Sequence, residues 1–150
     1  MTNDMENIPF TAEQIAAQSM SNLNSYILLT MAYLKEKGES VENWLHFLGN
    51  KFIQTWPELK EVGLQEIARG IVLNNLSGGA KLVSFSGDDS QVEIVLEGWP
   101  QYPYLALSGV SWQESQILHE VLTPVFEQIG VNYAWNIEGK QVKIKLSRPH

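Results

Sequence analysis

The sequence predicts an α+β fold in which about four helices pack on one face of a four-stranded antiparallel sheet. In the first half of the chain, apolar residues recur at the spacing of amphipathic helices. In the segments 81–98 and 131–147, apolar and polar residues alternate around a short turn, which is typical of hairpins buried on one face. A helical pattern lies between these segments, so the two predicted hairpins flank a long helix.

Length and composition favour one domain and exclude several classes of function. The 150 residues are 44% hydrophobic, enough for one continuous core. We expect residues 1–10 to form a flexible arm and residues 11–150 to form a single domain. The net charge of −7 opposes nucleic-acid binding, and the absence of cysteine excludes disulfides and thiolate metal sites. No signal-peptide pattern is visible, so we expect a cytoplasmic protein.

The first helix is predicted over residues 12–37. Thr11 and Gln14 match a capping box at its start, and Gly38 is a typical residue after a helix end. Its polar residues are too frequent for a membrane span, so we predict none.

Residues 14–34 of this helix carry no charge, whereas an ordinary surface helix shows a charged face. Two interpretations remain open. The helix is covered by its own domain, or part of its face meets a second copy of the chain. In the second case the protein is a homodimer, and Asn22, Tyr26 and Tyr33 are the candidate interface residues.

Two more helices precede the first hairpin. Ser40 caps the second, which covers residues 41–56 and ends before Pro57. The third covers residues 64–76 and ends at the Ser-Gly-Gly sequence 77–79.

The long helix between the hairpins is predicted to begin after Ser111, which with Glu114 matches a second capping box, and to end at Gly130. Pro124 lies inside it and has no N–H group, so we expect a kink near residues 120–123.

His119 in this long helix is the candidate catalytic residue, because its imidazole titrates near neutral pH. Glu120 is a poor partner for it, since adjacent helix residues do not face each other. Neither His46 nor His119 belongs to an HExxH motif, and we predict no metal site. The sequence favours a non-enzymatic role; the alternative is a small enzyme that uses His119 as general acid or base. No particular cofactor is indicated.

The segment between the first hairpin and the long helix is unusually aromatic. Its large side chains combine apolar bodies with polar tips and are Trp99, Tyr102, Tyr104 and Trp112. We expect Pro100 and Pro103 to keep its backbone extended. Three interpretations remain open: a lid over the core, the rim of an apolar ligand pocket, or a surface for a protein partner.

The order of elements over about residues 60–148 resembles that of the vinyl-reductase-type, hydrocarbon-binding domains. These are related in fold to the Bet-three-like subunits of vesicle-tethering particles and to haem nitric-oxide-binding domains. The resemblance lies in the segments 83–100, 112–130 and 131–147 and rests on topology. It implies a dimer with an apolar pocket near the long helix. Members often carry cysteines after the first hairpin and in the last strands, and this chain has none, so only the fold carries over.

Together these observations predict a non-enzymatic module, homodimeric, that binds a small apolar ligand or a protein partner. The contact site is expected under the aromatic segment at residues 99–112.

Overall fold

A computed structural model of the chain describes residues 9–149, so nearly all of the predicted arm lies outside the described residues. The helices are α1 (Ala12–Glu36), α2 (Val41–Phe52), α3 (Leu64–Ser77), α4 (Tyr102–Ser108), α5 (Trp112–Ser115) and α6 (Thr123–Ile129). The strands are β1 (Lys81–Gly87), β2 (Gln91–Glu97), β3 (Asn132–Glu138) and β4 (Gln141–Ser147).

The four strands form an antiparallel sheet in the order β1-β2-β4-β3, so the two hairpins join through β2 and β4. Alternate residues of the two central strands are buried: Val92, Ile94, Leu96, Val142, Ile144 and Leu146. Because both strands contribute the same alternate positions, one face of the sheet forms the floor of the core. The predicted α+β fold is confirmed.

Helix α3 provides the main layer over this floor. Its apolar face buries Leu64, Ile67 and Ile71 against the sheet residues. Phe126 of α6 completes the layer and stacks on Tyr133 of β3, with ring centroids 4.9 Å apart.

The helices α1 and α2 lie farther from the sheet, and their ends follow the predicted caps. Thr11 makes both hydrogen bonds of the capping box, and the Ser40 hydroxyl accepts a hydrogen bond from the N–H of Asn43. Gly38 has a φ of 69°, a conformation that glycine adopts without strain. Within residues 9–149, no helix has the length and hydropathy needed to cross a bilayer.

The aromatic segment contains a helix where extended backbone was expected, so that expectation was wrong. Tyr102–Ser108 is helical, and Pro103 lies in its first turn, where a missing N–H group costs nothing. Gly109 ends α4 with a φ of 72°. The helix packs on α1.

The predicted long helix is divided into pieces. Residues 116–122 form a 3₁₀ helix between α5 and α6, longer than the usual three or four residues. Pro124 has no N–H group, so the carbonyl of Glu120 accepts instead from the N–H of Thr123. Helical geometry is therefore disturbed at the predicted place, but the disturbance begins earlier than residues 120–123.

The three-residue period of this 3₁₀ segment sorts its side chains into columns, because residues three apart eclipse each other. The columns are Gln116 with His119 and Leu122, Ile117 with Glu120, and Leu118 with Val121. Gln116 and His119 of the first column are buried, and the second column lines an open cavity. The third column lines an apolar groove, together with Leu122. One short segment thus supplies side chains to three different environments.

Candidate functional site

The predicted interface residues on α1 share one exposed face. Tyr26 is 72% exposed and Tyr33 is 58% exposed. Asn22 is exposed as well, and its side-chain oxygen accepts a hydrogen bond from the amide of Gln18 one turn earlier. Leu29 lies between the two tyrosines and is 42% exposed. We call Asn22, Tyr26, Leu29 and Tyr33 the outer stripe of α1.

The opposite face of α1 carries Asn24, which is fully buried. Its side-chain oxygen accepts a hydrogen bond from the indole N–H of Trp99 (2.8 Å), and its amide donates to the carbonyl of Gly78 (2.9 Å). The amide also lies 3.4 Å from the side-chain oxygen of Gln101. Asn24 therefore ties α1 to the turn before β1 and to the start of the aromatic segment.

The backbone carbonyl of Trp99 extends this network. It accepts hydrogen bonds from the indole N–H of Trp112 (3.1 Å) and from the amide of Gln116 (2.9 Å). We call Asn24, Trp99, Trp112 and Gln116 the closed network. Among the described residues, each buried side-chain nitrogen and oxygen has a hydrogen-bond partner.

The four predicted aromatic residues do not form one surface. Trp99 is buried, whereas Tyr102 is 79% exposed. Tyr104 is half-buried against the cluster of Leu28 and Met31. The space bounded by Trp99, Trp112 and neighbouring side chains is about 10 Å³, room for at most one water molecule.

His119 is buried at the base of this space, and its ring lies 5.6 Å from that of Trp135. Burial lowers the pKa of His119 to about 4, so the imidazole is neutral at neutral pH. Its carbonyl accepts a hydrogen bond from the Tyr133 hydroxyl. Glu120 does not contact the His119 ring, as predicted from the spacing, but contacts His46.

An apolar groove lies on the other side of His119, between α2 and α3, where these helices share few contacts. Its volume is about 420 Å³. Large side chains line it, among them Leu23, Trp44, Leu48, Phe52, Trp56 and Leu122. The groove continues past Trp56 into a second section of about 280 Å³ that ends near Val62. Sequence reasoning missed it, because the gap depends on how the helices pack.

A polar cluster lies on the other flank of α2. The imidazole Nε2 of His46 is 3.1 Å from a carboxylate oxygen of Glu120 and 3.9 Å from one of Glu42. Both glutamates line an open cavity of about 730 Å³. We call Glu42, His46 and Glu120 the EHE cluster. The four-residue spacing of Glu42 and His46 is visible in the sequence, but the approach of Glu120 is not.

Comparison of the chain with models of known protein families gave no match. Comparison with curated proteins gave no significant similarity either.

Proposed function

We propose that the protein is a non-enzymatic binding module that takes an elongated apolar small molecule into the groove between α2 and α3. The observation that carries this proposal is the groove itself. Trp44, Phe52 and Trp56 line it, and its main section of about 420 Å³ falls within the size range of small-molecule sites.

The main section of the groove has few polar groups, and they are neutral, whereas Glu66 lines the second section. Asn74 and Ser77 lie along its α3 side, and His119 at its base has a pKa lowered to about 4 by burial. A long neutral molecule with one polar end suits this arrangement, since the amide and hydroxyl can hydrogen bond that end. An ionised ligand would lose its hydration without gaining an opposite charge in return.

The groove replaces the space under Trp99 and Trp112 as the proposed ligand site. That space of about 10 Å³ is too small for a ligand. The groove shares His119 with it, so the ligand would lie on the far side of this imidazole.

We further propose that two copies associate through the outer stripe of α1. Each chain carries a net charge of −7, so two copies repel each other, and an uncharged contact face avoids adding like-charge pairs to that repulsion. Residues 14–34 provide such a face, with Tyr26, Leu29 and Tyr33 exposed on it. The four side chains of the stripe are uncharged, and the nearby cation Lys37 lies at one end of it, 5.7 Å from the centre of the Tyr33 ring.

Catalysis by His119 has less support than binding. General acid–base work is most efficient with a pKa near the working pH, and the pKa of this imidazole is held at about 4. The nearest carboxylate in sequence, Glu120, pairs with His46 instead.

Two matched variants separate ligand binding from self-association. Leu23 and Leu29 lie on α1 with similar exposure, 45% and 42%, but only Leu23 of the two lines the groove. We expect Leu23→Lys to weaken binding of diphenylhexatriene, a neutral rod-shaped fluorophore, at least about tenfold, because it places a charge in the groove. Leu29→Lys should keep that affinity and instead weaken the dimer.

Fluorescence titration measures the first effect and sedimentation measures the second, with circular dichroism to show that both variants fold. Equal diphenylhexatriene affinity in wild type and Leu23→Lys would remove the groove as the site. A monomeric wild type would remove the outer stripe as an interface. Native mass spectra of the purified protein would show added mass if a natural ligand is retained.

A further inference from the structure

The EHE cluster brings together three side chains of the kind that bind transition metals. Glu42 and His46 stand one turn apart on the same flank of α2, and Glu120 comes from the 3₁₀ segment. One ligand atom from each residue lies within 4.8 Å of the other two. The set thus joins one imidazole nitrogen to two carboxylate oxygens.

The distances suit a first-row metal ion. Zinc bonds of about 2.0–2.2 Å to nitrogen and oxygen place neighbouring tetrahedral ligand atoms roughly 3.3 Å apart. The distance from the Nε2 of His46 to the nearer carboxylate oxygen is 3.1 Å for Glu120 and 3.9 Å for Glu42. A point equidistant from all three atoms lies no more than about 2.4 Å from each, so shifts of a few tenths of an ångström would complete the bonds.

Outer hydrogen bonds hold the Glu120 carboxylate in place. One oxygen accepts from the indole N–H of Trp135 (2.7 Å), and the other accepts from the hydroxyl of Thr123 (3.1 Å). Such outer partners orient metal ligands in established sites.

The backbone also fixes the distance between the two sides of the cluster. Gly49 lies one turn after His46, and a side-chain carbon added there would come within 2.1 Å of the carbonyl of Val121. This close approach of α2 to the 3₁₀ segment brings His46 within reach of Glu120.

Charge and access favour a cation at this place. Two of the three side chains in the cluster are carboxylates, whose negative charge a bound cation would offset. The cation on the cavity wall, Lys35, is paired with Glu114. The cavity of about 730 Å³ lets an ion and its remaining water ligands reach the cluster.

We propose that Glu42, His46 and Glu120 bind one divalent transition-metal ion, with Zn²⁺ as the best fit, and leave its other coordination positions open to the cavity. The imidazole nitrogen favours such ions over Mg²⁺ and Ca²⁺, which prefer oxygen ligands. This site lies on the opposite flank of α2 from the groove and is independent of the ligand proposed there.

The test is calorimetric titration of the full chain with Zn²⁺ after treatment with EDTA and gel filtration. Wild type should bind one equivalent of Zn²⁺ at the EHE cluster, and any further equivalents should bind more weakly elsewhere on the protein. We expect the single variants His46→Asn, Glu42→Gln and Glu120→Gln to weaken this event at least about tenfold. Zn²⁺ should also raise the melting temperature of wild type and not that of His46→Asn, because an ion that binds the folded state stabilises it.

Glu114→Gln is the matched control, since Glu114 lines the same cavity outside the cluster and should leave Zn²⁺ affinity unchanged. Melting curves without metal show whether each variant folds. The proposal is overturned if wild type binds no Zn²⁺ or if His46→Asn, while folded, binds it as wild type does. Such a result would mean that the cluster is only an ion pair between α2 and the 3₁₀ segment.

Discussion

The closed network and the EHE cluster join distant parts of the chain by similar hydrogen bonds, but they differ in their access to solvent. Asn24 and Trp99 are 75 residues apart, and His46 and Glu120 are 74 apart. Trp99, Trp112 and Gln116 of the closed network enclose almost no space, whereas Glu42 and Glu120 of the EHE cluster line a cavity of about 730 Å³. A polar cluster that is sealed and fully paired can only support the fold. One that keeps charged groups at an opening can also bind a ligand.

The sharpest way to break the closed network is Asn24→Ala. The indole N–H of Trp99 and the carbonyl of Gly78 would both lose a buried partner, and each loss costs about 1–3 kcal/mol. We expect the free energy of unfolding to fall by about 4 kcal/mol, measured by urea denaturation. Asn43→Ala at an exposed position of α2 should change it by less than about 0.5 kcal/mol. Equal effects of the two substitutions would contradict a structural role for the network.

The pH dependence of the free energy of unfolding tests the role of His119. This residue lies between the closed network and the EHE cluster. Burial lowers its pKa from 6.5 to about 4, so the unfolded chain takes up a proton at a higher pH than the folded protein does. The stability that the neutral imidazole provides is therefore complete above about pH 6.5 and is lost as the pH falls toward 4. This loss amounts to about 3 kcal/mol.

Urea denaturation of wild type and His119→Leu at about pH 7 and pH 4.5, in buffers with EDTA, measures this effect. Other groups titrate in both proteins, so the difference between them isolates His119. The variant should lose less stability on acidification than wild type. Parallel losses would mean that the pKa of His119 is the same in the folded and unfolded states.

A smaller effect is expected at Gly49, which sets the geometry of the EHE cluster. Gly49→Ala would place a methyl group against the Val121 carbonyl and the Pro124 ring. After allowance for the better helix propensity of alanine, we expect the free energy of unfolding to fall by about 2 kcal/mol.

Gly70→Ala on α3 is the matched control, because a side-chain carbon there meets nothing within 4 Å. That control should gain up to about 1 kcal/mol. A similar gain at Gly49 would show that the two segments separate easily.

The parts of the fold that depend on local chemistry were predictable from the sequence. The caps at Thr11 and Ser40 are made by side chains three residues or fewer from their partners. The two hairpins follow from alternation around glycine-containing turns, and their pairing confirms the expected sheet. In each case the determining residues are neighbours in the chain.

Two errors near the aromatic segment have local causes. A proline favours extended backbone before it, but it also suits the first turn of a helix, and Pro103 occupies that place in α4. The apolar residues Leu118, Val121 and Leu122 fit α-helical spacing, and this fit concealed the 3₁₀ geometry that the structure shows.

The candidate sites depended on contacts that no local pattern reveals. Nothing near Glu120 in the sequence indicates that it faces His46, and the groove exists because α2 and α3 stay apart. The placement of Asn22, Tyr26 and Tyr33 on one exposed face was predictable from helical spacing, because it needs no knowledge of other elements. Their role in self-association stays a prediction.

The 3₁₀ segment has a consequence for changes in chain length. Each residue of such a helix turns the next side chain by about 120°. Deleting one residue before Glu120 would therefore rotate this carboxylate out of the cavity column and bring a neighbouring column there instead. A change of three residues would restore the alignment. We expect homologous sequences that retain the buried column and the cavity column to have a 3₁₀ segment of the same length. Where the length differs, we expect the difference to be a multiple of three residues.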